Sequence, residues 1–117
     1  MAELSFDIRG NLQPYEKVNL TFQEFKQIFV EEFAPDSSRH TIFENYQRFI
    51  DAFAAEVTTN FIQWIDGSFV TNRTNPRDID VVNFIDFAIY EEKQDKIEQN
   101  FRLHGASKLY PRVDAYV

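Results

Sequence analysis

Cysteine is absent from the 117-residue sequence, which excludes disulfides and thiolate metal centres and is compatible with a reducing compartment. No apolar run approaches the roughly 18 residues that a membrane-crossing helix needs, and the start, Met1 to Ser5, lacks a basic stretch followed by a hydrophobic one. The expected setting is therefore the cytoplasm, with no membrane contact. Positive charge is also short: 12 Lys and Arg stand against 19 Asp and Glu, a formal charge of −7. A protein that follows a nucleic-acid backbone needs clustered cations to neutralise phosphates, so long DNA or RNA is not an expected partner.

What is present is apolar and aromatic. Hydrophobic residues make up 44% of the chain and aromatics 16%, with 13 Phe, so the core is expected to be built around rings. A chain of this length buries around two-thirds of its unfolded surface, which suits one compact domain. Residues 1–20 read as an extended arm with a turn around Asn11 to Pro14. Thr21 and Glu24 have capping-box spacing, and Phe22, Phe25, Phe29 and Phe33 fall on one face of a helix over about 22–34. Pro35-Asp36-Ser37-Ser38 breaks that helix and starts another, on which Phe43, Tyr46, Phe49, Phe53 and Val57 keep helical spacing. A strand over Phe61 to Val70, a second over roughly 79–89, a charged helix from Glu91 to Leu103 stopped by Gly105, and a last strand over about 109–117 complete the order. The expected class is α+β: a mixed sheet covered by helices in the order α-α-β-β-α-β, over residues 21–117.

The functional signal lies in Trp64-Ile65-Asp66-Gly67-Ser68-Phe69 and in Asn75-Pro76-Arg77-Asp78-Ile79-Asp80-Val81-Val82. Successive strand residues point to opposite faces, so Asp78 and Asp80 share one face while Ile79 and Val81 take the other. Two carboxylates that close repel unless a cation sits between them, and hard oxygen donors suit Mg²⁺ or Mn²⁺. Gly67 permits close backbone approach, and Ser68 offers a hydroxyl and an N–H, a combination that suits phosphate oxygens.

Strand, Gly-Ser, variable loop and Asp-x-Asp on the next strand together resemble the nucleotidyltransferase superfamily, the DNA-polymerase-beta-like fold. An uncharacterised bacterial branch of that superfamily looks similar across Phe6 to Pro14, Leu20 to Phe25, Ile65 to Thr71 and Asp78 to Val82. The resemblance implies a third carboxylate on a later strand, which would be Asp114, the only acidic residue in the last apolar run. It also implies transfer of a nucleoside monophosphate from a nucleoside triphosphate to an acceptor hydroxyl. In that chemistry Asp78, Asp80 and Asp114 serve the metal and the acceptor, and Gly67 and Ser68 grip the phosphates. Arg73 and Arg77 are placed to reach triphosphate oxygens from the loop. Two departures stand out. Nucleotidyltransferases that act with toxin partners usually follow Gly-Ser with Ala-Arg-Gly, whereas this chain has Phe69-Val70-Thr71, and the sequence stops at Val117, just after the third-carboxylate strand. A truncated chain, or a protein partner that supplies the rest of the pocket, would account for the second.

Structural alternatives exist for each residue. Gly67 and Ser68 alone could make an ordinary turn, Asp78 could cap the loop, Asp114 could be a solvated edge residue, and Asp80 could pair with Arg77 or Arg112. Asp66 is expected to point near the site at best and to orient the Gly-Ser turn, and Asp86, ~20 Å along the strand from Asp80 at ~3.3 Å per residue, is too far to be a ligand. The alternative function is a catalytically silent binding module in a toxin–antitoxin or phage-defence pair, which would have the Asp pair neutralised by an arginine and an apolar patch exposed.

Overall fold

A computed structural model describes residues 4–13 and 18–117. The fold is mixed α+β. A short antiparallel hairpin, β1 (Ser5–Phe6) and β2 (Leu12–Gln13), opens the described chain, followed by α1 (Phe22–Lys26) and α2 (Ser38–Glu56). A three-stranded sheet is made of β3 (Ile62–Asp66), β4 (Ile79–Phe84) and β5 (Val113–Tyr116), with α3 (Phe87–Asn100) and α4 (Leu103–Leu109) connecting β4 to β5. The strand order is β3-β4-β5; β4 runs antiparallel to β3 and parallel to β5.

The sheet has one covered face. Ile79, Val81, Val113 and Ala115 point inward and are buried with Ile42, Phe49 and Phe53 of α2, Ile97 of α3 and Ala106 of α4. Phe49 and Phe53 pack edge-on against Phe101 at 5.6 and 5.4 Å between centroids, the T-shaped arrangement ring quadrupoles favour. Both helix starts behave as their spacing implies. Thr21 and Glu24 form a reciprocal capping box, and Ser37 caps α2. Among the described residues no helix is long and apolar enough to cross a membrane.

Several boundaries differ from the sequence reading. Residues 4–13 are not a simple arm: they fold into the hairpin, whose turn lies at Asp7 to Gly10, and Phe6 packs edge-on against Phe29. Pro14, where the turn was expected to end, lies outside the described residues. The first helix widens at Gln27–Glu31 into a π-helical turn. The first strand of the site ends at Asp66, because Gly67 takes φ +81° and turns the chain into a 3₁₀ turn over Gly67–Val70. The second strand ends at Phe84. Asp86 occupies the N-cap position of α3 without a side-chain cap bond, and Phe87, Ala88 and Ile89 are helical despite reading as strand.

Gly105 is not a helix stop. It lies inside α4, and a β-carbon there would run into the Gln99 carbonyl, so this glycine allows α4 to close on the end of α3. The last strand starts at Val113 rather than 109, after a Tyr110-Pro111-Arg112-Val113 turn in which Val113 N–H donates to the Tyr110 carbonyl at 3.1 Å. Pro at the second position and φ +68° at Arg112 give the turn a type II signature.

Candidate functional site

Register brings three aspartates to one end of the uncovered face, and a fourth, Asp78, precedes the middle strand. Asp66 lies opposite Asp80 across the antiparallel pair, and Asp80 lies beside Asp114 across the parallel pair. Paired residues on neighbouring strands share a face at a strand spacing of ~4.8 Å. Asp78 stands two residues before Asp80 and is half-buried, like Asp80 and Asp114. The sequence-predicted trio is thus brought together. Asp66 joins the row as well as orienting the turn, through a 2.8 Å bond from Gly67 N–H to its Oδ1.

The charges in this row lack an ion-pair partner among the described residues. Among the described residues the side-chain ion pairs are Lys26 with Glu31 at 3.9 Å and Lys96 with Glu56 at 3.4 Å, neither of which involves these aspartates. Arg112 does not pair with Asp80; its Nη1 donates to the Arg77 carbonyl at 3.1 Å. Asp80 accordingly titrates high. Its pKa is pushed up to about 6, first by burial, then by the charges of Asp78 and Asp114, by a hydrogen bond shared with Asp114, and by Asp66. Tyr116 O–H donates to Asp114 Oδ2 at 3.3 Å, and the Asp114 charge pushes the phenol pKa up.

Gly67 is required twice. Its φ of +81° is one that side-chain-bearing residues rarely adopt, and the space a β-carbon would take is filled by the Asp80 carboxylate. The Gly67 N–H is committed to Asp66, so the turn presents fewer free donors than a phosphate grip was expected to have. Ser68 is half-buried beside it, with its carbonyl accepting from Thr71 N–H at 3.2 Å and Thr71 Oγ1 at 2.7 Å. A cleft of about 730 Å³ runs along β3 from Phe22, Phe25 and Tyr46 to Asp66 and Gly67.

Sequence reasoning missed the residue that shapes the loop. Arg39, in the first turn of α2, is fully buried and points its guanidinium into the connection between the Gly-Ser turn and Asp78. It donates to the carbonyls of Phe29 (2.9 Å), Phe69 (2.6 Å), Thr71 (2.6 Å) and Arg73 (2.8 and 3.0 Å). The group lies over the Phe33 and Phe69 rings, 3.9 and 4.9 Å from their centroids. Burial lowers its pKa to about 10, which leaves it charged at neutral pH. Ser37 Oγ–H adds a bond to the Thr74 carbonyl and Ser38 Oγ–H one to the Pro76 carbonyl at 2.8 Å. The start of α2 thus fixes most of the loop's carbonyls. Arg73 and Arg77, expected to reach phosphates, have exposed side chains, the Arg73 carbonyl accepting from Arg39 and the Arg77 carbonyl from Arg112. No sequence signal flags Arg39, since Ser-Ser-Arg also reads as an ordinary helix start.

Among the described residues no group of three or more His, Cys, Asp or Glu side chains is disposed to hold a metal ion. The donor chemistry nevertheless suits a hard cation: carboxylate oxygens, no arginine in an ion pair with them, and one carboxylate whose charge is disfavoured by burial and by its neighbours until a cation offsets it. Mg²⁺ commonly uses one or two carboxylates together with phosphate oxygens and water rather than an all-protein cage. Asp78 and Asp80 match that smaller requirement.

Residues 4–117 match the model of a family of unknown function, DUF6932. The chain belongs to this family. All four aspartates, the Gly-Ser turn and Arg39 lie within the matched span. Comparison with curated proteins and with solved structures finds no match.

Proposed function

We propose that this DUF6932 protein is a nucleotidyltransferase-like enzyme that moves a nucleoside monophosphate from a nucleoside triphosphate to an acceptor hydroxyl, with Mg²⁺ or Mn²⁺ as cofactor. The observation that carries the reading is the row of Asp66, Asp80 and Asp114 with Asp78 beside it, packed against Gly67 and, among the described residues, without a cation in ion-pair reach. The chain order supports it: strand, Gly-Ser, clamped loop, Asp-x-Asp strand, then a parallel strand carrying Asp114.

In this reading Asp78 and Asp80 hold the cation, which when bound withdraws charge from the triphosphate. The remaining work falls to the chain. Ser68 and the Gly67 turn set the phosphate tail at the end of β3, and Arg39 keeps the loop from collapsing onto that place. Arg73 and Arg77 are free to bring their side chains to the outer phosphate oxygens. Asp114, tied to Asp80 and Tyr116, faces the acceptor and takes up its proton. Catalysis is then mostly positioning and charge neutralisation.

A second reading, a catalytically silent module bound to a protein partner, is favoured by three observations: Gly67 N–H is spent on Asp66, the residue after Ser68 is a fully buried Phe69 rather than a basic one, and Ile62, Trp64 and Phe84 are exposed. Incubation with each labelled nucleoside triphosphate, Mg²⁺ or Mn²⁺ and a host lysate separates the two. Label that reaches protein or RNA with wild type and vanishes with Asp80→Asn supports the enzyme. Nucleotide binding without turnover supports the silent module.

A further inference from the structure

The uncovered sheet face does not end at the carboxylates. Two residues along each strand come Trp64, Val82 and Tyr116, Trp64 opposite Val82 and Val82 beside Tyr116, and beyond them Ile62 lies opposite Phe84. Ile62 is 66% exposed, Trp64 46%, Phe84 44% and Tyr116 42%. The Trp64 and Phe84 rings lie 4.7 Å apart at 59°, forming one aromatic shelf. A solvated sheet face usually alternates to polar residues, and a contiguous exposed apolar patch marks a binding surface.

The neighbouring charges narrow the occupant. A second copy of this chain would set one aspartate row against another, and a phosphate-rich strand would meet a protein of charge −7. Rows two residues apart on a strand are separated by ~6.7 Å, a gap that a ribose can bridge between a phosphate at the aspartates and a ring on the shelf.

We propose that the Trp64–Phe84 shelf is a base-binding subsite that stacks the nucleobase of a metal-bound nucleotide. The inference rests on the nucleotide reading above and adds the place and manner of base recognition. Ile62, Trp64, Val82 and Phe84 offer rings and apolar carbons, and the Trp64 indole N–H is the single polar group among them. Stacking on such a surface is tolerant of base identity, so the four nucleoside triphosphates bind with similar affinity.

Trp64 is the single tryptophan of the chain, so its fluorescence reports on the shelf alone. The test titrates the protein with each of the four nucleoside triphosphates and with inorganic tripolyphosphate, all with Mg²⁺, following fluorescence and heat. Nucleotides quench Trp64, whereas tripolyphosphate binds at the aspartates without quenching. Trp64→Leu and Phe84→Leu, both at exposed positions, weaken nucleotide binding ~5- to 150-fold, the range expected for loss of one base–aromatic stack, and leave tripolyphosphate binding unchanged. Nucleotide affinity equal to that of tripolyphosphate, or unchanged in both Leu variants while Asp80→Asn abolishes binding, overturns the subsite and leaves the nucleotide reading intact. Failure of both ligands to bind overturns the two together.

Discussion

Replacing Asp80 by Asn removes the charge that the aspartate row tolerates least, and the expected effect is a gain in stability that depends on pH. Asp80 ionises near 3.8 when unperturbed and at about 6 in the fold, where burial and then Asp78 and Asp114 disfavour its charge. A folded state that holds a proton more tightly than the unfolded chain gains stability at low pH. That gain is fully present below pH 3.8 and is lost as pH rises through about 6. At ~1.4 kcal/mol per tenfold, the shift corresponds to ~3 kcal/mol, which solvent screening of a partly exposed carboxylate cuts to ~1 kcal/mol. Asp80→Asn keeps the shape and drops the charge, so at pH 7 it is more stable than wild type by ~1 kcal/mol, or ~4 °C for a domain of this size. At pH 3.5 the two coincide. Thermal denaturation of both proteins across this range gives the difference curve, in which the titration of groups distant from Asp80 cancels and what remains belongs to Asp80 and the carboxylates coupled to it. Mg²⁺ should then raise the melting temperature of wild type more than that of the variant, since a ligand stabilises only the state that binds it. A difference that does not change with pH, or a variant less stable at pH 7, refutes the reasoning.

Three other substitutions probe the frame around the site. Arg39→Met leaves five hydrogen bonds unmade and four carbonyls without their donor, so stability should fall by ~3 kcal/mol or more in urea denaturation; a loss under ~1 kcal/mol would remove Arg39 as the loop's clamp. Gly67→Ala puts a methyl group into the Asp80 carboxylate at a left-handed φ, and should cost ~1–3 kcal/mol and displace Asp80, seen as a changed pH dependence; a neutral result would mean that the turn is not pinned. Gly105→Ala drives α4 off the Gln99 carbonyl and should destabilise by ~1–3 kcal/mol with metal response retained, because α4 packs into the core on the covered face of the sheet, opposite the aspartate row.

The parts legible in the sequence were those set by local periodicity. Phe43, Tyr46, Phe49 and Phe53 are all buried on α2, as a 3.6-residue repeat requires, and strand parity set Asp80 on the face opposite the buried Ile79 and Val81, while Asp78 lies just before the strand. Boundaries failed where one apolar run serves two elements. Phe84-Ile85-Asp86-Phe87-Ala88-Ile89 reads as strand throughout, but the strand ends at Phe84 and α3 starts at Phe87. Two site features were out of reach because they depend on contacts distant in sequence. Asp66 joins the row only through its register with Asp80, which a long intervening loop leaves unspecified from sequence, and Arg39 acts on carbonyls 30 to 34 residues away in the loop, along with the Phe29 carbonyl 10 residues back. Gly105 shows the converse: a helix stop and a close helix–helix approach call for the same residue, and only packing distinguishes them.

The central claim is that Asp78 and Asp80 hold a divalent cation on a nucleoside triphosphate, and calorimetric titration of the protein with each of the four triphosphates, in Mg²⁺ and in chelator, tests it most directly. Saturable binding in Mg²⁺ that disappears in chelator and in the Asp78→Asn, Asp80→Asn double variant is the expected result. Binding of equal strength with and without Mg²⁺, or in wild type and double variant alike, would contradict it, as would the absence of binding for all four nucleotides.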